Sequence, residues 1–223
     1  MELKVDSVRV HFDNRPVLRG AYLACKVGEV VGLLGRNGSG KSTMLKATTR
    51  SINTIDSYVG VDGKGITSIA AAAKHIAYLP QDKFLPQNEK LGTLMKLCLS
   101  KEQQAAMLKN EEIQQLINQK CNTFSGGEAR FVEILFVLYS KASFILLDEP
   151  FNGLAPIYRE KIKSIIKNVC STKGIIISDH DYRNVLDISN RQLLIVDGRT
   201  VEIKNKDDLI QYGYLAKTHT QND

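Results

Sequence analysis

Apolar and polar positions alternate along the first part of the chain. Residues 3–12 alternate well enough for a half-buried strand, and the cluster Asp13-Asn14-Arg15-Pro16 that follows predicts a turn. A second strand is predicted at about 17–27. Because a tight turn joins the two strands and no crossover helix fits between them, the pattern indicates an antiparallel sheet.

The pattern then changes to short, continuous apolar runs. Such runs are typical of strands that are buried on both faces of a parallel sheet. They occupy residues 30–34, 76–79, 144–147, 175–177 and 193–196. Since helical stretches lie between them, we expect an α/β fold whose ligand crevice opens at the carboxyl ends of the strands.

One long segment lacks a run of this kind. Residues 86–143 contain no buried-strand pattern, and residues 101–119 are rich in good helix formers such as Gln, Glu, Ala, Leu and Lys. We therefore predict a helical subdomain at about 86–143, inserted into a core formed by 30–85 and 144–215, with the antiparallel region at 1–29. The polar residues 217–223 are expected to fray.

Chain length and net charge limit the possible domain organisation and ligand classes only broadly. A chain of 223 residues suits one domain, or one domain with an inserted subdomain. The formal net charge of +6 would suit a polyphosphate ligand or an acidic surface, but it is modest and spread along the chain. No nucleic-acid module is recognisable, so no direct nucleic-acid partner is expected.

Cysteine spacing and hydropathy exclude further classes. The cysteines form no CxxC pair, which favours neither a zinc site nor a disulfide framework; they are Cys25, Cys98, Cys121 and Cys170. The N-terminus has no signal-peptide pattern, and no apolar run approaches the ~18 residues of a membrane span. A membrane role is therefore expected only through a partner chain.

A phosphate-binding motif (Walker A) directly follows the run at 30–34. The segment 35–43 matches GxxxxGKS between a predicted strand and a predicted helix. Its glycines let backbone amides surround phosphate oxygens, and the helix adds its positive end. Lys41 would reach the outer phosphates, and Ser42 would hold magnesium. The predicted nucleotide-binding residues are Gly35, Asn37, Gly38, Ser39, Gly40, Lys41, Ser42 and Thr43. Because unrelated motors and GTPases share the motif, it predicts a nucleotide and nothing narrower.

Two adjacent carboxylates end a later apolar run. Asp148 follows residues 144–147, where the magnesium aspartate of such enzymes is expected. Glu149 comes next and could polarise an attacking water as general base. The alternative is that Glu149 is only an acidic residue favourable to a helix N-terminus.

A third motif narrows the interpretation. The segment Phe124-Ser125-Gly126-Gly127-Glu128 resembles the LSGGE signature of ABC-type ATPases, and it precedes Asp148-Glu149-Pro150 in the family's order. Further matches are Phe12 at the adenine-stacking position, Gln81 at the Q-loop position and His180 after the run at 175–177. In isolation Phe12 is as well explained as a core aromatic, and His180 as a structural residue.

The resemblance implies a fold, a set of ligands, an assembly of two subunits and a role for each site residue. The fold would be a P-loop NTPase (RecA-like) core with an antiparallel β subdomain and an inserted α-helical subdomain, and ATP and Mg²⁺ would be the ligands. Two subunits would enclose two ATP molecules, with Ser125, Gly126 and Gly127 completing the partner's site. The resemblance assigns catalysis to Glu149, His180, Gln81 and Lys41, and metal binding to Ser42, Gln81 and Asp148.

The resemblance also implies a function. The chain would be the ATP-hydrolysing subunit of an ABC transporter, paired with a second copy or a similar ATPase. It would sit on the cytoplasmic side of a membrane through a membrane-spanning subunit that docks near residues 81–99. Alternatives are a soluble ABC-type ATPase in DNA repair, chromosome structure or translation, and a regulatory module that no longer hydrolyses ATP.

Some positions depart from the family pattern. Ala155 stands where an aspartate of the D-loop is common, which puts coupling between the two sites in doubt but not hydrolysis. Ala129-Arg130-Phe131 replaces a more basic stretch, and Phe124 replaces leucine while keeping an apolar anchor. The segments 132–134 and 178–181 are similar to the branch that serves branched-chain amino acid import and lipopolysaccharide export.

Overall fold

The computed structural model describes residues 1–13 and 15–215, so the predicted frayed end at 217–223 lies outside it. The strands form two sheets. They are β1 (Glu2–Phe12), β2 (Arg15–Lys26), β3 (Val30–Leu34), β4 (Asp56–Val61), β5 (Lys64–Gly65), β6 (Ile76–Leu79), β7 (Phe144–Asp148), β8 (Gly174–Ser178), β9 (Arg191–Val196) and β10 (Arg199–Ile203). The helices are α1 (Lys41–Thr48), α2 (Ile69–Ala72), α3 (Leu91–Cys98), α4 (Lys101–Met107), α5 (Glu111–Leu116), α6 (Gly126–Leu138), α7 (Pro156–Val169), α8 (Tyr182–Ile188) and α9 (Lys206–Gln211).

The larger sheet confirms the parallel core predicted from the apolar runs. Its strand order is β10-β9-β3-β8-β7-β6, and every pair from β9 to β6 is parallel. Neighbouring residues of each strand face different cores. Leu33 lies in a core that contains the antiparallel sheet, whereas Leu34 lies in a core that contains the helices. Burial on both faces explains why these strands are apolar throughout.

The smaller sheet confirms the predicted antiparallel pair and enlarges it. β1 pairs with β2 in antiparallel register, and the sheet continues through β4 and β5 in the order β2-β1-β4-β5. Two sequence expectations need correction. β4 and β5 lie inside residues 30–85, because the chain returns to pair β4 with β1 after α1. The predicted turn is also shorter, since Arg15 and Pro16 already belong to β2.

The segment predicted to be helical is helical in the structure. Between β6 and β7 the described residues form α3 to α6 and one short 3₁₀ turn, without a strand. Within residues 101–119 the chain forms two helices, α4 and α5, separated by a break at 108–110, and Asn110 is the N-cap of α5. α6 is buried around most of its circumference. Among the described residues, no helix has both the length and the apolar character needed to cross a membrane.

Candidate active site

The phosphate loop joins β3 to α1, and its last residue permits a tight turn. Gly40 caps α1 with φ 105°, a left-handed conformation that favours glycine. A side chain there would also approach Leu18 Cδ2 at 3.0 Å. The loop therefore needs glycine both for its backbone conformation and for its packing against β2.

Lys41 turns back onto the loop. Its Nζ donates to the carbonyl oxygens of Gly35 at 2.8 Å and Arg36 at 3.3 Å. Burial lowers the pKa of Lys41 below its ordinary value, while the carboxylates of Glu149 and Asp148 act in the opposite direction. A phosphate group would give this ammonium the anionic partner that the two carbonyls only partly replace.

Asp148, at the end of β7, is held by three hydroxyl groups. Its Oδ1 accepts from Ser178 Oγ at 2.8 Å and Ser42 Oγ at 3.1 Å, and its Oδ2 accepts from Tyr78 Oη at 2.9 Å. Burial and the nearby Asp148 carboxylate raise the pKa of Tyr78, so the phenol stays a donor. Sequence reasoning missed Tyr78 and Ser178; the only signal was their position near the ends of the neighbouring runs.

Ser42, Asp148 and Gln81 fit a magnesium ion. Gln81 Nε2 lies 3.2 Å from Ser42 Oγ, so amide, hydroxyl and carboxylate meet at one point. To bind a cation, the Gln81 amide would turn its oxygen inward. Magnesium in nucleotide sites is usually bound through one or two carboxylates and completes its shell with water and phosphate oxygens. Of the three residues, Asp148 is the one carboxylate, and this agrees with that preference.

Glu149 occupies a strained backbone position beside His180. Its φ is 49°, and its N–H donates to the Ser178 carbonyl at 2.8 Å. His180 Nδ1 lies 4.0 Å from Glu149 Oε2 and 3.5 Å from Asp179 Oδ1. Asp179, which sequence reasoning did not single out, is buried, and burial raises its pKa. The imidazole therefore stands between two carboxylates at the edge of the site.

These groups surround one cavity of about 510 Å³. Phe12 lies at its wall with a half-exposed ring, as expected for a residue that could stack on a base. The cavity is lined by Phe12, Val17, Asn37, Gly38, Gly40, Lys41, Ser42, Thr43, Gln81, Glu149 and His180. The structure thus brings together most of the predicted nucleotide and catalytic residues. Gly35 contributes through its carbonyl, and Ser39 lies in an adjoining groove.

The predicted signature residues lie elsewhere. Ser125 caps α6, accepting from Glu128 N at 3.2 Å and donating its own N–H to Glu128 Oε2 at 2.8 Å. Gly126 and Gly127 form the first turn of this helix, and none of the three signature residues lines the cavity. Within one chain the signature and the phosphate loop are separate.

A buried ion pair on α6 was also missed as a functional element. Arg130 donates to the carbonyls of Pro80 at 2.7 Å, Asp148 at 2.9 Å and Glu149 at 3.1 Å. Its partner Glu133, 3.3 Å away, accepts from the backbone N–H of Phe84 at 2.8 Å. Arg130 and Glu133 therefore tie α6 to the segment after β6 and to the end of β7.

A comparison with models of protein families shows to which family the chain is related. A family model described as ABC transporter matches residues 18–152, more than half of the chain. The chain belongs to the ABC transporter family. Its members are ATP-binding subunits that hydrolyse ATP, and this chain is the ATPase subunit that energises transport through membrane partner subunits.

Individual members of the ABC transporter family cover almost the whole chain. The lipopolysaccharide export system ATP-binding protein LptB of Acidithiobacillus ferridurans is 30% identical over 93% of this chain and 92% of its own length. LptB of Escherichia coli K12 is 30% identical over 95% of this chain and 94% of its own length. A solved ATP-binding subunit of an ABC transporter, 21% identical, covers 96% of this chain with a TM-score of 0.83, which confirms the fold.

The ABC transporter D-loop position is open to solvent. Ala155 is exposed at the N-terminus of α7, where it makes no side-chain capping bond, and Pro156 follows in the first turn. An aspartate would add a cap here. The substitution leaves the cavity lining unchanged, because Ala155 is not part of it.

Proposed function

We propose that this ABC transporter subunit binds ATP with magnesium in the cavity beside Phe12 and hydrolyses it with Glu149 as general base. The observation that carries the proposal is the meeting of Lys41, Gln81 and Glu149 around one cavity of about 510 Å³, backed by the Ser42–Asp148 hydrogen bond. The phosphate loop, the metal residues and the base come from three separate parts of the chain.

Each group then has a defined task. Lys41 exchanges its two carbonyl partners for the outer phosphates, and Glu149 orients the attacking water and accepts its proton. His180, near Glu149, donates toward the terminal phosphate. Magnesium, held by Ser42, Asp148 and Gln81, would neutralise charge on the outer phosphates. Arg130 fixes the carbonyls of Asp148 and Glu149 and so keeps both side chains in register.

We further propose that the working unit is a pair of subunits. In one chain the exposed Ser125 end of α6 does not line the nucleotide cavity, so a second copy or a similar ATPase would bring it to the phosphates. Its amides and helix N-terminus suit an anion. ATP then links the two subunits, and hydrolysis releases them.

The partner and the location follow as parts of the same proposal. The pair would lie on the cytoplasmic face of a membrane, held by a membrane-spanning subunit near residues 81–99. Relatives named for lipopolysaccharide export favour that branch over branched-chain amino acid import. They also favour a transporter over a soluble ATPase. Recovery of the native chain in detergent without a membrane protein would contradict this part.

The decisive experiment on the site is Glu149→Gln. We expect ATP affinity to be kept, turnover to fall about 10²- to 10⁴-fold, and an ATP-bound dimer to accumulate, because the base is lost while every phosphate contact remains. ATPase assays and light scattering with ATP measure both effects. Glu160→Gln, on the exposed side of α7, is the control, and Lys41→Ala should lose nucleotide affinity. Unchanged turnover in Glu149→Gln would exclude Glu149 as base.

A further inference from the structure

A second groove lies on the outer face of the antiparallel sheet, with a volume of about 410 Å³. It is lined by Arg9, His11, Pro16, Leu18, Arg19 and Arg199. None of these residues lines the nucleotide cavity. Four of the six carry a guanidinium or an imidazole, so the groove is chemically unlike a solvated surface with mixed charges.

The sheet register places two of the arginines face to face. Arg9 on β1 and Arg19 on β2 are direct partners in the antiparallel ladder, and both are exposed. Directly opposite side chains have Cβ atoms about 5 Å apart, and like charges in this relation destabilise a sheet. The fold does not need arginine at either position, because a neutral polar residue would cover the same exposed face.

A third arginine is brought to the pair by a tight hairpin turn. The backbone N–H of Arg19 donates to the Gly198 carbonyl at 2.7 Å, which fixes the β9–β10 turn against β2. Gly198 has φ 76°, and a Cβ there would lie 2.8 Å from the Val17 carbonyl oxygen. Since only glycine allows this approach, Arg199, the next residue, is held beside β2.

Within residues 1–13 and 15–215, no carboxylate forms a salt bridge with these arginines. Asp56 is the ladder partner of Arg9 on β4, yet no acidic oxygen lies within 4.0 Å of Arg9, Arg19 or Arg199. In the same part of the chain, Arg191 is paired with Glu29 at 2.6 Å. The three arginines of the groove thus concentrate positive charge, and none of them forms a salt bridge with a described residue.

We propose that this groove binds a phosphate-bearing anion with at least two negative charges. Guanidinium groups match phosphate oxygens with paired N–H donors, and three of them from three strands converge here. His11 adds a ring nitrogen, while the exposed Pro16 forms an apolar border. Bound phosphate would turn the Arg9–Arg19 repulsion into a shared attraction. The phosphate is either that of a soluble metabolite or that of a lipid headgroup.

Calorimetry with pyrophosphate tests the site. The measurement uses the Lys41→Ala chain, so that the phosphate loop competes less for the ligand. We expect one pyrophosphate per chain. Adding Arg9→Gln and Arg19→Gln should lower its affinity at least tenfold, whereas adding the exposed pair Lys74→Gln and Lys101→Gln, with the same change in net charge, should not. Equal affinities in the two sets, or no binding in Lys41→Ala, would overturn the proposal.

Thermal unfolding gives a second test that does not depend on the double variant. Pyrophosphate should raise the melting temperature of Lys41→Ala, because a ligand of the folded state stabilises it. Without any anion, Arg19→Gln should also raise it by removing the repulsion with Arg9, while the Arg9–Asp56 ladder pair stays intact. A lower melting temperature for Arg19→Gln would contradict the repulsion between the two arginines.

Vesicles distinguish the two sources of phosphate. Vesicles of cardiolipin, whose headgroup carries two phosphates, test the lipid source. Co-sedimentation with these vesicles, but not with phosphatidylcholine vesicles, would assign the site to a lipid headgroup if it is lost in the Arg9→Gln/Arg19→Gln chain. Co-sedimentation that is absent or unaffected, together with tenfold weaker pyrophosphate binding, would assign it to a soluble anion. Both outcomes depend on the same three arginines.

Discussion

At the scale of single residues, the carboxylate of Asp148, a predicted magnesium ligand, is held in place by its hydrogen-bond partners. Its two oxygens have different partners, because Tyr78 alone donates to Oδ2 while Ser42 and Ser178 share Oδ1. The phenol of Tyr78 thereby fixes the carboxylate plane. Ser42 then contacts Oδ1, which is the oxygen nearest to the predicted metal position.

Tyr78→Phe tests this role. Removing the phenol leaves the ring but frees Oδ2, so we expect magnesium affinity to fall about 10-fold or more, as for other residues that orient metal ligands. Binding of Mn²⁺ with a slowly hydrolysed ATP analogue, followed by electron paramagnetic resonance, measures affinity apart from turnover. Tyr58→Phe, on the antiparallel sheet, is the control. Equal Mn²⁺ affinity in the two variants would exclude a positioning role.

The sequence predicted the motif residues but not their supports. Lys41, Ser42 and Asp148 stand in short local patterns whose spacing follows from phosphate and metal chemistry. Tyr78 and Ser178 contact Asp148 only because β6 and β8 flank β7. Strand order in a parallel sheet is set by distant pairings, and no local pattern contains it. The roles of the motif residues remain predictions.

At the scale of elements, α6 connects three parts of the molecule. Its first turn carries the signature, Arg130 reaches the carbonyls at the end of β7, and Glu133 accepts the Phe84 amide. Both charged side chains are buried, so neither can be satisfied by water instead. The position of α6 and that of the segment after β6 are therefore fixed together.

Glu133→Gln is a small chemical change, but we expect it to lower the free energy of unfolding substantially. It keeps the shape but leaves Arg130 buried without its counter-charge, and breaking a buried pair in this way costs about 3–5 kcal/mol. Denaturant unfolding measures the free energy of unfolding. Glu160→Gln removes a partly exposed pair with Lys163 and should cost less than about 1 kcal/mol. Similar losses in the two variants would mean that Glu133 is not a structural link.

The elements missed by sequence reasoning had two different causes. β10 follows β9 across Asp197-Gly198, a two-residue turn with both φ values positive. That dipeptide is a recognised hairpin signal, so β10 was predictable. β4 is different, because its first half is polar and its partner β1 lies more than forty residues earlier. β4 can be identified only from its pairing with β1 in the folded sheet.

At the scale of the whole molecule, one chain holds two half-sites that do not meet. The cavity contains the groups that we predict to bind phosphate and activate water, while the exposed Ser125 turn lies outside it. A single subunit can therefore bind ATP without enclosing it. The proposed pair of subunits explains why both halves are present.

Ser125→Arg tests the pairing. A long cationic side chain at the start of α6 would block the approach of a partner, so we expect the ATP-bound dimer of Glu149→Gln to be lost, with ATP affinity of the monomer changed less than about threefold. Light scattering with ATP and calorimetry measure the two effects. Ser171→Arg, on the exposed turn after α7, is the control. A dimer that persists in Ser125→Arg would refute this mode of assembly.

Arg130 and Glu133 attach α6 to the rest of the subunit, and this attachment is important for interpreting Ala155 at the predicted D-loop position. A neighbouring subunit that pulls on the signature end of α6 also pulls on the main chain behind Asp148 and Glu149. In the proposed pair, movement of the signature end would therefore be passed to Asp148 and Glu149 through Arg130, inside the subunit. This connection between the two nucleotide sites would not need an aspartate at position 155.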